Sequence, residues 1–457
     1  MPSTYLTRTF SSPTNRKKFT LSMWVKLSGR GSGNNNALLV CGTSGGDEAT
    51  ISFGNDALTW TEYKPGSGTV AYLATNRQFR DYNSWYHLVF SWDTTLSTAD
   101  DRMKIYVNGV QETSFSSRTN PSQNYDAHLN TNIVHEIGRQ TWNSSGRFNG
   151  SMSHIHFCDG YTYQASDFGE TDTTTGEWKI NTSPSVSYGT NGFWILKDGN
   201  NLSGSTVQDQ SGSSNNWTVG GGTLTNTEDC PSKVFCTMNP LMNYNNGSPS
   251  FSIGNNRVDG SGTAWMRTAG TLGARTGKFY YEALITTYYG DSRPIRLGWD
   301  SIDFINPGSD NYYSGFTISS DGYIRGGING YGNYDPNGTS LGGSFTQGDY
   351  IGLAIDLDND LIYCYKNGTV FSGTNGLDIS SNTNCSIKNS YGYQVSPSMN
   401  FYSVDAGDNV VDFNFGNGSF GTTELTGTTY NDSQGNGVFK YQPPTNYLAW
   451  CTSNFNV

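Results

Sequence analysis

Apolar residues fall at alternate positions along most of this chain, in short runs separated by Gly, Asn and Asp. In FTLSMWVKL (19–27), Phe19, Leu21, Met23, Val25 and Leu27 share one side of an extended backbone, the period of a half-buried strand. ATISFG (49–54) and ALTWTEY (57–63) follow across a Gly54-Asn55-Asp56 turn, then WYHLVFSWD (85–93) and KIYVNGVQ (104–111). The last enters Asn108-Gly109, a strong hairpin signal. HEIGRQ (135–140) and FNGSMSHIHFCDG (148–160) complete the set. Strands at this spacing with no helical stretch between them predict a β-sandwich.

From about residue 246 a second set begins: GKFYYEALIT (277–286), PIRLGWDS (294–301), DYIGLAIDL (349–357), LIYCYKNGTV (361–370), VSPSMNFYS (395–403) and NVVDFNFG (409–416). Both sets contain the same local order of strand, acidic turn, strand and Asn-Gly turn, as LVFSWD…DRMKIYVNGV and as IGLAIDLDNDLIYCYKNGTV. Ile351, Leu353, Ile355 and Leu357 alternate inward, so Asp356, Asp358 and Asp360 mark a hairpin tip. An EF-hand loop begun at Asp356 would need Gly at its sixth position and Glu at its twelfth, where this chain has Leu361 and Asn367. A turn built on Asx side-chain bonds is the better reading. Residues 171–245 are polar and less regular, and Pro443-Pro444 precedes an apolar tail with Tyr447, Leu448 and Trp450.

The composition narrows the classes. In 457 residues, room for two or three domains, there are 56 Gly, and aromatic residues equal charged ones at 14%. That mixture disfavours helices and suits strands joined by tight turns. The net charge of −11, with no basic cluster beyond Arg16-Lys17-Lys18, disfavours a nucleic-acid partner. No signal-like leader and no membrane-spanning run is visible, so the expectation is a soluble chain made in a cytoplasm. Seven scattered Cys without C-x-x-C read as buried thiols rather than disulfides or a zinc site.

The segments GKFYYE, IRLGWDS, GDYIGLAIDLDNDLIYCYKNG, PSMNFY and VVDFNFG, in that order, resemble a SPRY (B30.2) domain. FTLSMWVKL, WYHLVFSWD, MKIYVNGV, IGR and FNGSMSHIHFCDG resemble a laminin-G/concanavalin-A-like lectin sandwich. With the flanking FGETDTTTGEW, YGTNGFWILKDG, FCTMNPL and FKYQPPTNYLAWCT, nearly the whole chain is similar to a group of marine bacteriophage and environmental virus proteins. The resemblance implies an all-β chain of two antiparallel sandwiches: a lectin-like jelly roll at 1–170, a packed connector at 171–245, a SPRY-like sandwich at 246–420 and a C-terminal docking segment at 421–457. It also implies a non-enzymatic virion surface protein, a tail-fibre, capsid-fibre or appendage subunit that recognises a host-surface glycan or protein. Its partners would be other virion proteins and further copies of itself, trimers being common in that class, with no membrane insertion. A structural decoration or assembly protein is the alternative, and a polysaccharide-degrading enzyme a third reading.

For the enzyme, lectin-like glucanases carry E-x-D-x-x-E or E-x-D-x-E on one strand. The nearest match here, Glu170-Thr-Asp172, is followed by threonines and no second Glu, and is expected in a polar loop rather than a strand. His154 and His156 in H-I-H, with His135, are a weak metal candidate, and alternation sets Met152, His154 and His156 opposite Ile155 and Phe157. No cofactor is expected, with calcium at Asp47, Glu48, Asp93 and Asp126 left open because laminin-G-like sandwiches often hold one at a rim. Binding is expected instead in loops rich in Tyr, Asn, Asp, Gly and Ser, the alphabet of paratopes: Tyr288, Tyr289, Tyr312, Tyr313, Tyr331 and Tyr334 in the second unit. Trp60, Tyr63 and Trp142 are the corresponding candidates in the first.

Overall fold

The structure is a computed structural model. It describes residues 4–455 apart from 30–34, 44–46, 65, 142–145, 198–201, 245–248, 261–263, 291–292, 302–314, 327–339, 381–386, 388 and 404–406. The chain divides into two compact units, Met1–Leu224 and Thr225–Val457. Both are built almost entirely of antiparallel sheets, as the alternation requires. Residues 171–224 lie in the first unit and 225–245 in the second, so the irregular middle stretch is shared between them.

Among the described residues, the first unit sets a six-stranded sheet against a ten-stranded one. In the smaller sheet, Lys18–Leu27 lies between Gly150–Asp159 and Trp85–Asp93, and Met103–Val107 continues it. Phe19, Leu21, Met23, Val25 and Leu27 all enter the core with Trp60, Trp92 and Phe157. The opposite face is not solvated, however. Ser22, Trp24 and His87 are buried under a second cluster with Phe168, Trp178 and Tyr188 around it. The half-buried strand expected here is covered on both faces, because residues downstream of 160 fold back over it.

The second unit pairs a six-stranded sheet, with Ile295–Ser301 beside Val395–Ser403, and a nine-stranded one. In the latter, Lys278–Thr287 lies between Val410–Asn414 and Tyr350–Asp356, followed by Leu361–Lys366 and Thr369–Val370. Two pairings depart from the antiparallel rule among the described residues: Leu448–Ala449 runs parallel to Phe279–Tyr280, and Asn417 and Val438 form an isolated parallel bridge. Trp299, Phe413, Phe415 and Trp450 are among the large side chains of this core.

The repeated local plan is real in three dimensions. Lys18 opposes Asp93 in the first unit and Lys278 opposes Asp356 in the second, with N···O distances of 3.1 and 2.7 Å. Asn108-Gly109 and Asn367-Gly368 both adopt positive φ (47° and 82°, 49° and 81°), the two-residue turn that matches strand twist. Each Asn also turns its Oδ1 back onto the preceding strand, accepting the amide of His87 at 2.8 Å and of Tyr350 at 2.9 Å. Asp356 accepts the amides of Asp358 and Asn359, both at 3.1 Å, so the acidic tip is an Asx-type turn. Of the seven Cys, six are described and all are free thiols, five of them buried.

Candidate functional site

Strand parity creates the site. In Lys278–Thr287, Phe279, Tyr281, Ala283 and Ile285 enter the main core, which sends Tyr280 and Glu282 to the other face of the sheet. In Leu361–Lys366, Ile362 and Cys364 point inward and Tyr363 and Tyr365 outward. This second face is roofed by the C-terminal stretch, where Phe439, Tyr447, Ala449 and Cys451 pack with Tyr280, Tyr363 and Tyr365.

The roof does not close completely. An open pocket of about 440 Å³ remains, with Tyr280 and Tyr365 from the sheet, Gly368 from the Asn-Gly turn, and Thr428, Tyr430, Lys440, Tyr441 and Gln442 from the covering stretch. Its size is that of small-ligand sites. Tyr430 is fixed by a backbone bridge to Phe439, with N–H donated each way at 3.0 and 2.7 Å. Gly368 leaves room that no other residue would: a Cβ there would stand 2.7 Å from Cδ1 of Tyr441.

Glu282 holds the roof down. Its Oε1 accepts the Tyr441 amide at 2.8 Å and the Tyr280 hydroxyl at 3.2 Å, while Oε2 accepts the Lys440 amide at 2.9 Å and Asn414 Nδ2 at 3.1 Å. Burial pushes this carboxyl up to about 7, against the opposing pull of the Lys440 and Tyr441 amides. Lys440 places its ammonium 4.5 Å from the ring centre of Tyr350 and 5.8 Å from that of Tyr441. Four phenol rings, a cation, a hydroxyl and a carboxamide thus surround one cavity. Aromatic faces with hydrogen-bonding tips suit a ligand with both apolar faces and polar edges.

The residues expected to bind are distributed differently. Trp60 is not available: it is fully buried in the first core, edge-on to Phe90 and tilted against Trp92. Its strand, Ala57–Lys64, alternates Leu58, Trp60 and Glu62 inward, so this tryptophan is core by parity. Tyr63 is half-buried. Tyr288 is partly buried against the second core, its hydroxyl oxygen accepting from Ser320 Oγ at 3.1 Å. Tyr289 is 55% exposed, with the Arg293 guanidinium 3.7 Å from its ring centre. Tyr312, Tyr313, Tyr331, Tyr334 and Trp142 lie outside the described residues.

Three of the four candidate calcium ligands hold local partners through their carboxylates. Asp47 accepts from the amide and hydroxyl of Thr43, Glu48 from the Thr50 hydroxyl, and Asp93 from Thr95 as well as pairing with Lys18. The backbone carbonyl of exposed Asp126 receives Arg16. Among the described residues, no three His, Cys, Asp or Glu converge as a metal site. Ile155 and Phe157 enter the core and His156 lies on the other face, as expected, but a bulge between Ser153 and His156 moves Met152 to the core side. Met152 opposes Val25 and Phe157 opposes Leu21, so Met152 and Phe157 share the core face. His154 takes a positive φ of 46° at the bulge, and His156 is buried against Tyr188 and Trp194. His135 sits on the other sheet, stacked on Phe10. Glu170 and Asp172 belong to a small hairpin, where Lys179 and the amides of Thr175 and Thr174 hold Asp172 well below the usual carboxylate range.

The pocket tyrosines stand on strands and in the covering stretch, outside the tyrosine-rich loops that carry the paratope-like composition. A signal was present: in GKFYYE and LIYCYK, Tyr280, Tyr363 and Tyr365 stand on the face that ordinary alternation would leave polar.

No curated protein matches the chain by sequence. Among solved structures, it overlaps the SPRY domain of human HERC1 at 15% identity, over 42% of this chain and 99% of that one, with a TM-score of 0.28. A proposed carbohydrate-binding protein from Bacteroides ovatus overlaps at 15% identity, over 48% of this chain and 56% of its own, with a TM-score of 0.34. A heptameric SAP-like pentraxin from Limulus polyphemus overlaps at 15% identity, over 41% and 89%, with a TM-score of 0.27. Residues 3–166 match the laminin-G model described as the concanavalin A-like lectin/glucanases superfamily.

Proposed function

We propose that this chain is a non-enzymatic recognition protein that binds host-surface glycans, and that it works as a fibre or appendage subunit on the exterior of a phage particle. The observation that carries the binding reading is the tyrosine-lined pocket in the second unit. Sugar rings offer apolar C–H faces and hydroxyl edges, and the pocket offers phenol faces beside Thr428, Gln442 and Lys440. The lectin-type match of residues 3–166 agrees with a binding role. The virion setting rests on the resemblance of the ordered motifs.

The test is binding of the fluorescently labelled full chain to host cells, with soluble host glycan as competitor. Tyr365→Ala and Tyr430→Ala are expected to weaken binding about tenfold or more each, at the usual worth of an aromatic contact in a site. Binding that survives both changes and resists competition by glycan would sink the assignment. Antibody labelling of intact particles addresses the setting: a pocket occluded by other subunits favours an assembly role instead.

A further inference from the structure

We infer that the pocket selects a sugar carrying an anionic substituent, a carboxylate or a sulfate, and that Lys440 reads that charge. The inference rests on the glycan reading above and sharpens it.

One charge in the pocket is left over. Lys440 is, among the described residues, the formally charged member of the pocket wall. Among the described residues, its ammonium meets the rings of Tyr350 and Tyr441 and pairs with no carboxylate. The acids nearby are already satisfied. Asp349 is held by Lys366 at 2.9 Å and by Asn367 Nδ2 at 2.9 Å. Glu282, buried beneath, receives four donors and presents no free lone pair to the cavity. A neutral sugar would cover the ammonium without a partner, whereas an anionic group would form a charge-assisted bond with it.

Two features keep the cation in place. The Lys440 backbone is pinned by its amide to Glu282, and the side chain is steadied over a phenol face. The chain's net charge of −11 does not oppose such a ligand at contact range, because physiological salt screens distant acids beyond about 8 Å. Selection is therefore short-range, and it should fall as salt rises.

The experiment is calorimetric titration of the full chain with a short oligogalacturonate, its fully methyl-esterified form, a sulfated galactan oligosaccharide and its desulfated form. The wild type is expected to prefer one anionic member over its neutral twin by about tenfold or more. The pair that shows the preference identifies carboxylate or sulfate. In Lys440→Met the ratio is expected to fall to about one, while Lys64→Met, a charge-matched change at an exposed lysine of the first unit, keeps the wild-type ratio. Equal binding of charged and neutral twins by the wild type overturns the inference and leaves the glycan pocket standing. Binding of none of the four also overturns it, and the pocket itself falls only if Tyr365→Ala and Tyr430→Ala leave host-cell binding intact.

Discussion

Gly368 and Gly109 occupy the same position in two Asn-Gly turns, and in each unit a later aromatic lies over the glycine. A Cβ on Gly109 would come within 2.4 Å of the Trp178 ring, as one on Gly368 would come within 2.7 Å of Tyr441. The turn type was readable from the dipeptide, but the ring above it was not, since it arrives from about 70 residues downstream in both cases. Gly66 supplies the comparison: its φ is +76°, yet nothing lies within 4 Å of a Cβ there. Gly368→Ala is therefore expected to destabilise the second unit by roughly 2 kcal/mol or more, and Gly66→Ala the first by about 1 kcal/mol, the backbone cost alone. Denaturant unfolding of the two variants checks the difference. Equal losses would mean that Tyr441 moves aside freely and does not wall a formed pocket. Asp356, by contrast, was legible in full: its spacing excluded a calcium loop, and the structure spends its oxygens on turn amides and Lys278.

Among the elements, what the sequence concealed is that two sheets are covered on both faces. Alternation identified the core face of Lys18–Leu27 correctly but left the other face looking solvated, because Ser22, Trp24 and His87 give no signal of what covers them. In the structure His87 donates from Nε2 to Ser22 Oγ at 2.9 Å and accepts the Trp178 indole N–H on Nδ1 at 3.0 Å. Both nitrogens are committed to a neutral ring, and burial pulls the group down to about 3. Burial likewise holds His156 well below its ordinary value. The unfolded chain takes up protons on these residues below about pH 6.5 and the folded chain does not, so their contribution to stability is intact above that pH and is lost as pH falls toward 3. Glu62 opposes the trend. Raised by burial to about 8, it favours the folded state progressively as pH drops from 8 toward its ordinary value. Burial also pulls His135 down to about 4 and lowers His128. Four histidines against one carboxyl therefore predict net acid weakening of the first unit between pH 6 and 4, by a few kcal/mol. Thermal unfolding of His87→Gln across that range should show a shallower decline than the wild type. An identical slope would place the acid sensitivity elsewhere.

At the scale of the molecule, the two units repeat one plan of lysine-to-aspartate pairing, acidic turn, Asn-Gly hairpin and aromatic cover, and the tyrosine-lined pocket lies in the second. In the first, Trp178, Phe168 and Tyr188 fill the space over the sheet. In the second, the cover formed by residues 428–442 leaves a gap between Tyr365, Tyr430 and Tyr441. The all-β architecture followed from period and turn chemistry, whereas the site depended on which rings meet across long sequence separations. The expected tyrosine-rich loops and the observed pocket are now competing locations for the same activity. The most direct measurement is NMR of the full chain with ring-labelled tyrosine, titrated with host-surface glycan and assigned by single Tyr→Phe changes. Saturable shifts at Tyr365, Tyr430 and Tyr441 with Tyr289 unmoved are the predicted result. Shifts at Tyr289 with the three pocket rings unmoved would contradict the account.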